Sequence, residues 1–220
     1  MRNLILIGLE VVICYITLMF LSKKYKEDGI YIYCIIATII SCIMNFKNIS
    51  IMGVSIPIGF GVTTSILIGA NLIIQKRGQE EIKKYLLLVL ISFLTSYCFF
   101  QLSSIIESSS YNFISNNSYN SIFNQNVKPN VALIISIMFS IWLESKLYYI
   151  IKKLKNKIIL SNIFSLIITE FFENIIFILI AYLFEYKPID IFLCIILRYI
   201  IKTSIGLIGT IPLYIANKYN

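Results

Sequence analysis

A chain of 220 residues that is 58% hydrophobic and 14% charged, with a mean hydropathy of +0.84, cannot cover a soluble domain with polar groups, so it is an integral membrane protein. Its net charge of +8 does not point to nucleic acid, because the basic residues stand in short clusters between apolar runs, as cytoplasmic membrane loops require. The complete lack of histidine excludes His-ligated zinc sites, His-based proton relays and peptidases that use a histidine base.

Taken in chain order, seven apolar spans are predicted, each near the ~20 residues that a bilayer demands: 3–22, 30–46, 51–74, 85–106, 130–151, 158–184 and 189–215. The second is the shortest, so six is the alternative count. The expected fold class is therefore an all-α, polytopic integral membrane helical bundle, one transmembrane domain over 1–220. The first span has an acid at Glu10 and no small-residue cleavage site, so it reads as a membrane helix and not as a signal peptide. The loops at 23–28, 76–84 and 152–157 are basic, whereas 47–50, 107–129 and 185–188 hold only Lys47, Lys128 and Lys187. With seven spans this alternation places the N-terminus outside and the C-terminus and the basic loops in the cytoplasm of a cell (plasma) membrane; losing one span would put basic loops on both sides. The polar insert 107–129, rich in Ser, Asn and Tyr, is expected to be an external loop, and Asn116-Asn117-Ser118 within it fits a glycosylation acceptor. Cys14, Cys34, Cys42, Cys98 and Cys194 fall inside apolar spans without CxxC spacing, which reads as small buried hydrophobes.

The sixth span carries the most information, because Glu170 and Glu173 stand near the middle of a run otherwise apolar enough to cross a bilayer. A charge at the centre of a membrane helix costs at least ~2.5–3.5 kcal/mol, so two acids spaced i, i+3 on one face must look at protein or water. Other charges inside the spans are Glu10 and Glu144 among the acids and Lys146, Arg198 and Lys202 among the bases. Arg198 and Lys202 share a face of the last span, at a depth that matches Glu173 and Glu170 when each residue rises ~1.5 Å. Two readings follow: an ion-pair network that only holds helices together, or a polar site near the midplane. Aromatics stand beside these acids in sequence, with Phe171 and Phe172 next to the pair, Trp142 before Glu144, and Tyr148 and Tyr149 after it. Carboxylates with aromatic faces suit a flat heterocycle whose edge presents adjacent N–H donors.

Several segments in fixed order resemble a known family. Lys24 to Lys26 and Asp28-Gly29-Ile30-Tyr31, followed by the span ending at Lys47, resemble its Gly-Leu-Tyr segment and the Asn-Ile-Gln-x-x-Lys after it. Gly59 falls on its Gly-Asn, and Asn71-x-x-x-Gln75-x-x-Gly78 on its Asp-x-x-x-Glu-x-Tyr-Gly. Ser140-x-x-x-Glu144 and Thr169-Glu170-x-x-Glu173-x-x-x-Phe177 fall on its two Ser-Gln-x-x-Asp segments. Tyr199-x-x-Lys202, Thr210 and Tyr214 fall on its closing Tyr-x-x-Lys and Asp-Thr-Pro-x-x-Tyr. On these residues the chain is similar to the queuosine-precursor transporters, also described as vitamin-uptake transporters. It departs from them at Cys42, Met44, Phe60, Asn71, Gln75, Glu170 and Gly209, losing carboxylates in the first half and gaining one in the second.

The resemblance implies a transporter, not an enzyme, that imports a 7-deazaguanine queuosine precursor or similar small flat heterocycle, a substrate tied to tRNA modification. The candidate substrate-binding residues are Glu170 and Glu173 as acceptors for the ring edge, Glu144 on the facing helix, Asn71 and Gln75 as hydrogen-bonding groups, Arg198 and Lys202 as counter-charges, and Trp142 and Phe172 as aromatic neighbours. No cofactor or metal is expected. The chain has no ATP-binding loop, so energy would come from a gradient, an energising partner or trapping of the substrate, and a homo-oligomer is compatible with the sequence. The alternatives are a substrate-binding subunit of an energy-coupling-factor vitamin importer, against which the first helix lacks an Ala-x-x-x-Ala face, and a non-transporting membrane protein whose buried ion pairs are structural.

Overall fold

In lipid every backbone N–H and C=O must find a partner within the protein, which leaves helices as the means by which long apolar runs cross. The computed structural model describes residues 2–45, 47–106, 115–123, 127–155 and 157–218. In chain order the elements are α1 (Arg2–Met44), β1 (Asn48–Ile51), β2 (Val54–Pro57), α2 (Phe60–Arg77), a single 3-10 turn (Gln79–Glu81), α3 (Ile82–Ile105), α4 (Asn116–Phe123), α5 (Val127–Lys155), α6 (Ile158–Tyr182), α7 (Pro188–Ile208) and α8 (Thr210–Lys218). Among the described residues five helical stretches are long and apolar enough to cross a membrane: 3–44, 79–105, 127–154, 158–182 and 188–215. The chain is an all-α membrane bundle, and the hairpin β1–β2 is the one sheet among the described residues.

The first two predicted spans lie in one continuous helical element, α1, which folds back on itself at Lys26, where φ is 52° and ψ −127°. Cys14 and Tyr33 reach each other, although 19 residues along a straight helix would separate them by about 28 Å. The two arms touch at Gly29, where any Cβ would land on the Leu21 carbonyl. The predicted boundary of a third span at residue 51 is corrected: residues 48–57 form the antiparallel hairpin, with Asn48 opposite Pro57 and Ile51 opposite Val54. Met52 and Gly53 at its tip both take positive φ, and helix α2 begins only after Gly59. The last predicted span, 189–215, is likewise divided into α7 and α8, for Pro212 has no N–H to bond the carbonyl of Ile208.

Helix α2 is too polar to count among the five apolar crossings, yet every residue from Phe60 to Ile74 is buried. It packs against α1, α5, α7 and α8, so protein rather than lipid surrounds it. Small residues permit the approach: a Cβ at Gly61 would stand 3.1 Å from the Val11 side chain, and one at Gly69 2.6 Å from the Tyr85 hydroxyl. Such a helix can carry Thr, Ser and Asn at membrane depth without paying a lipid-exposure cost.

The basic loops gather at one end of the bundle. There Arg77 pairs with Glu27 at 3.3 Å, Tyr31 donates to Glu81, and Lys152 and Lys153 stand beside Ile74. At the opposite end lie the hairpin, Asn45 donating to the Pro129 carbonyl, and Lys128 pairing with Glu185. The polar insert contains the short helix α4, whose Tyr119 hydroxyl meets Ser103; residues 107–114 and 124–126 lie outside the described residues, as does the side chain of the acceptor Asn116. Four of the five cysteines are buried, but Cys98 faces outward.

Candidate functional site

Helix α6 is apolar except for one face. Ser161, Asn162, Ser165, Thr169, Glu170, Glu173 and Asn174 recur at the i, i+3 and i+4 spacing, and all are buried against α2, α5 and α7. This stripe builds two polar layers at different depths.

The layer nearer the middle is ionic. Lys202 on α7 bridges both acids of α6, at 2.9 Å to Glu170 and 2.7 Å to Glu173, and Arg198 reaches Glu173 at 3.1 Å. Arg198 also donates from Nε to Asn174 at 2.8 Å, while its guanidinium lies 4.0 Å from the centre of the Phe177 ring. Thr64 of α2 donates to Glu170, Ser136 of α5 donates to Glu173, and Asn174 returns a bond to the Glu170 carbonyl. Two acids and two bases, all at most 2% exposed, thus balance each other in charge.

The second layer lies one to two turns nearer the basic end and consists mostly of amides and hydroxyls. Asn71 of α2 donates from Nδ2 to Glu144 of α5 at 2.6 Å and to Asn162 of α6 at 2.9 Å, and Ser165 donates to the same Glu144 oxygen at 2.6 Å. One turn lower, Gln75 donates to the Tyr148 hydroxyl at 2.6 Å. This layer is not saturated. Among the described residues, Asn71 Oδ1, Gln75 Oε1, Glu144 Oε2 and Asn162 Nδ2 are buried without a hydrogen-bond partner, as are the hydroxyls of Ser140 and Thr169 one turn above on α5 and beside Glu144 on α6; Glu170 Oε2 and Glu173 Oε2 of the ionic layer are met by Lys202 alone. Native interiors leave few such groups, because each one buried without a partner costs ~1–3 kcal/mol. Six such groups lie concentrated between three helices.

A family model described as "Putative vitamin uptake transporter" matches residues 57–216. The chain belongs to the vitamin uptake transporter family. The match takes in every residue of both polar layers and starts at Pro57, so the resemblance over Lys24 to Lys47 lies outside it. No curated protein and no solved structure matches the chain.

Of the residues singled out by sequence in this vitamin uptake transporter, the structure brings together Glu170, Glu173, Arg198 and Lys202 in one layer and Asn71, Gln75 and Glu144 in the other. Trp142 and Phe172 are not brought to either. Both are 44% exposed on the outside of the bundle, Trp142 beneath Lys146 and Phe172 edge-on to Phe171. Lys146, expected inside the membrane, is exposed near the basic end. The aromatic rings that do face the buried polar groups are Tyr148, Phe177 and Phe60. Asn162, Ser165 and Asn174 went unrecognised in the sequence although their spacing from Glu170 and Glu173 places them on the same helical face. Glu10 is separate from both layers: its carboxylate accepts the Gly61 and Val62 amides and so caps the start of α2.

Proposed function

We propose that this membrane transporter imports a small flat heterocycle of the 7-deazaguanine type, a queuosine precursor, and that the substrate binds at the amide layer formed by Asn71, Gln75, Glu144 and Asn162. The observation that carries this reading is the set of unpartnered buried atoms there. Asn71 Oδ1 and Gln75 Oε1 as acceptors, the Asn162 amide as donor, and Glu144 Oε2 as either according to its proton suit a ring edge that carries N–H groups beside a carbonyl, and Tyr148 offers a face or a hydroxyl at the lower boundary. Glu170 and Glu173 keep a part in the reading as the roof of the site, their oxygens already engaged by Lys202 and Arg198. The clustering of basic loops at one end supports a cytoplasmic placement of that end, with the N-terminus outside and the C-terminus inside.

The test is whether this chain restores queuosine in the tRNA of cells that lack both precursor synthesis and their own importer, with precursor supplied outside. Restoration that is lost in Asn71→Leu at equal expression is the expected result. Failure to restore, with the protein present in the membrane, rejects the substrate. A structural role has its clearest support in the ionic layer, where two acids and two bases balance, whereas Glu144 in the amide layer has no base beside it among the described residues.

A further inference from the structure

Glu144 is chemically unlike the other buried acids. Glu170 and Glu173 each have a base within 3.1 Å, and Glu10 rests on the amide end of α2, but Glu144, fully buried, meets only neutral donors. Asn71 and Ser165 both donate to one oxygen, Oε1; Oε2 has the Thr169 hydroxyl beside it but accepts no well-formed hydrogen bond among the described residues, in a layer whose other fixed unpartnered groups are the acceptors Asn71 Oδ1 and Gln75 Oε1 and the Asn162 amide NH2. An ionised carboxylate there would add a third unpartnered acceptor and one uncompensated negative charge to a region with no base among the described residues, a costly state in a dry interior. A proton on Oε2 removes the charge and converts an acceptor into a second fixed donor besides the Asn162 amide.

We propose that Glu144 is a proton-binding site and that the chain is a proton-coupled carrier in which proton and substrate enter the closed site together. This rests on the transport reading above. The surroundings agree with it. The titratable groups that face Glu144 are Glu170 on α6, already held by Lys202 of α7, and Tyr148 on its own helix. Helix α2 presents Asn71 and Gln75, and the charged residues of the 3-10 turn and α3 point elsewhere, Lys84 over Tyr31 and Glu80 and Lys83 beside Lys146. No cation among the described residues therefore competes with the proton. The Gln75–Tyr148 hydrogen bond lies one turn from Glu144 toward the basic end, where a recess of about 320 Å³ is lined by Ile74, Tyr149, Lys152 and Lys153. When that bond opens, water and the field of the two lysines favour the carboxylate, so the proton leaves at the basic end.

Two measurements on the full-length protein in liposomes decide the matter. A hydrophobic carbodiimide reacts with protonated buried carboxyls, and mass spectrometry should place its adduct on Glu144, with yield falling as the pH is raised. An adduct confined to Glu170 or Glu173, or none, overturns the proposal. In the second, labelled 7-deazaguanine is the probe, and an acid-outside gradient should raise its accumulation about tenfold per pH unit at zero membrane potential, an effect abolished by a protonophore. Uptake that ignores the gradient, or follows a sodium gradient instead, also overturns it. No uptake of the probe under any gradient would reject the substrate reading, and the carbodiimide result would still decide the proton site.

Discussion

The ionic layer and the amide layer are neighbours on the same face of α6, yet one is complete and the other is not. In the ionic layer each charge has an opposite partner; Thr64 donates to Glu170, Ser136 to Glu173, and Arg198 to Asn174. In the amide layer the bonds that exist are short, but a comparable number of polar atoms has none. Buried charge alone is therefore a poor guide to where a ligand goes. Charges in a membrane interior must be neutralised whatever their role, and the informative quantity is what remains unpaired after neutralisation.

The largest effect should come from Lys202→Met, which strands Glu170 and Glu173 together; stability in detergent should fall by ~3–5 kcal/mol, read as a lower melting point. Adding Glu170→Gln to that variant should cost less than the two single losses combined, and simple additivity would show that the acids do not share the lysine. Next, Glu144→Gln should leave melting nearly unchanged, since an amide can still accept from Asn71 and Ser165, while uptake falls about tenfold to a hundredfold, in line with a loss of ~1.4–3 kcal/mol. A strongly lowered melting point with normal uptake would reverse the roles assigned to the two layers. Arg198→Lys keeps the charge but gives up the Nε bond to Asn174 and the flat stacking on Phe177, so a loss of ~1–2 kcal/mol in stability is expected, with uptake retained. The smallest effects belong to Trp142→Leu and Phe172→Leu, which should stay within ~0.5 kcal/mol and leave uptake intact because both rings lie outside the bundle. A marked uptake defect in either would mean that a lipid-facing surface takes part in transport.

Membership of the membrane class, the all-α architecture and the meeting of Glu170 and Glu173 with Arg198 and Lys202 were all legible in the sequence. Hydropathy over ~20 residues, i+3 and i+4 spacing and rise per residue are local quantities, and the bilayer turns them into depth. The ordering of motifs along the chain likewise pointed to the family before any geometry was known. Tertiary structure alone decided the rest. Composition could not show that residues 51–57 turn back as a hairpin, because the apolar run continues through Met52 and Gly53 into a helix and only their left-handed backbone reveals the turn. Nor could it show that α2 sits inside the bundle, since its sparse polar residues weaken an apolar signal whether lipid or protein surrounds it. The side of a helix on which Trp142, Phe172 and Lys146 stand depends on which neighbours pack there. The division between the ionic layer and the amide layer depends on individual hydrogen bonds and ion pairs among α2, α5, α6 and α7, whose partners lie up to 106 positions apart in the chain. Sequence places polar groups at a depth, but only packing determines which of them find partners.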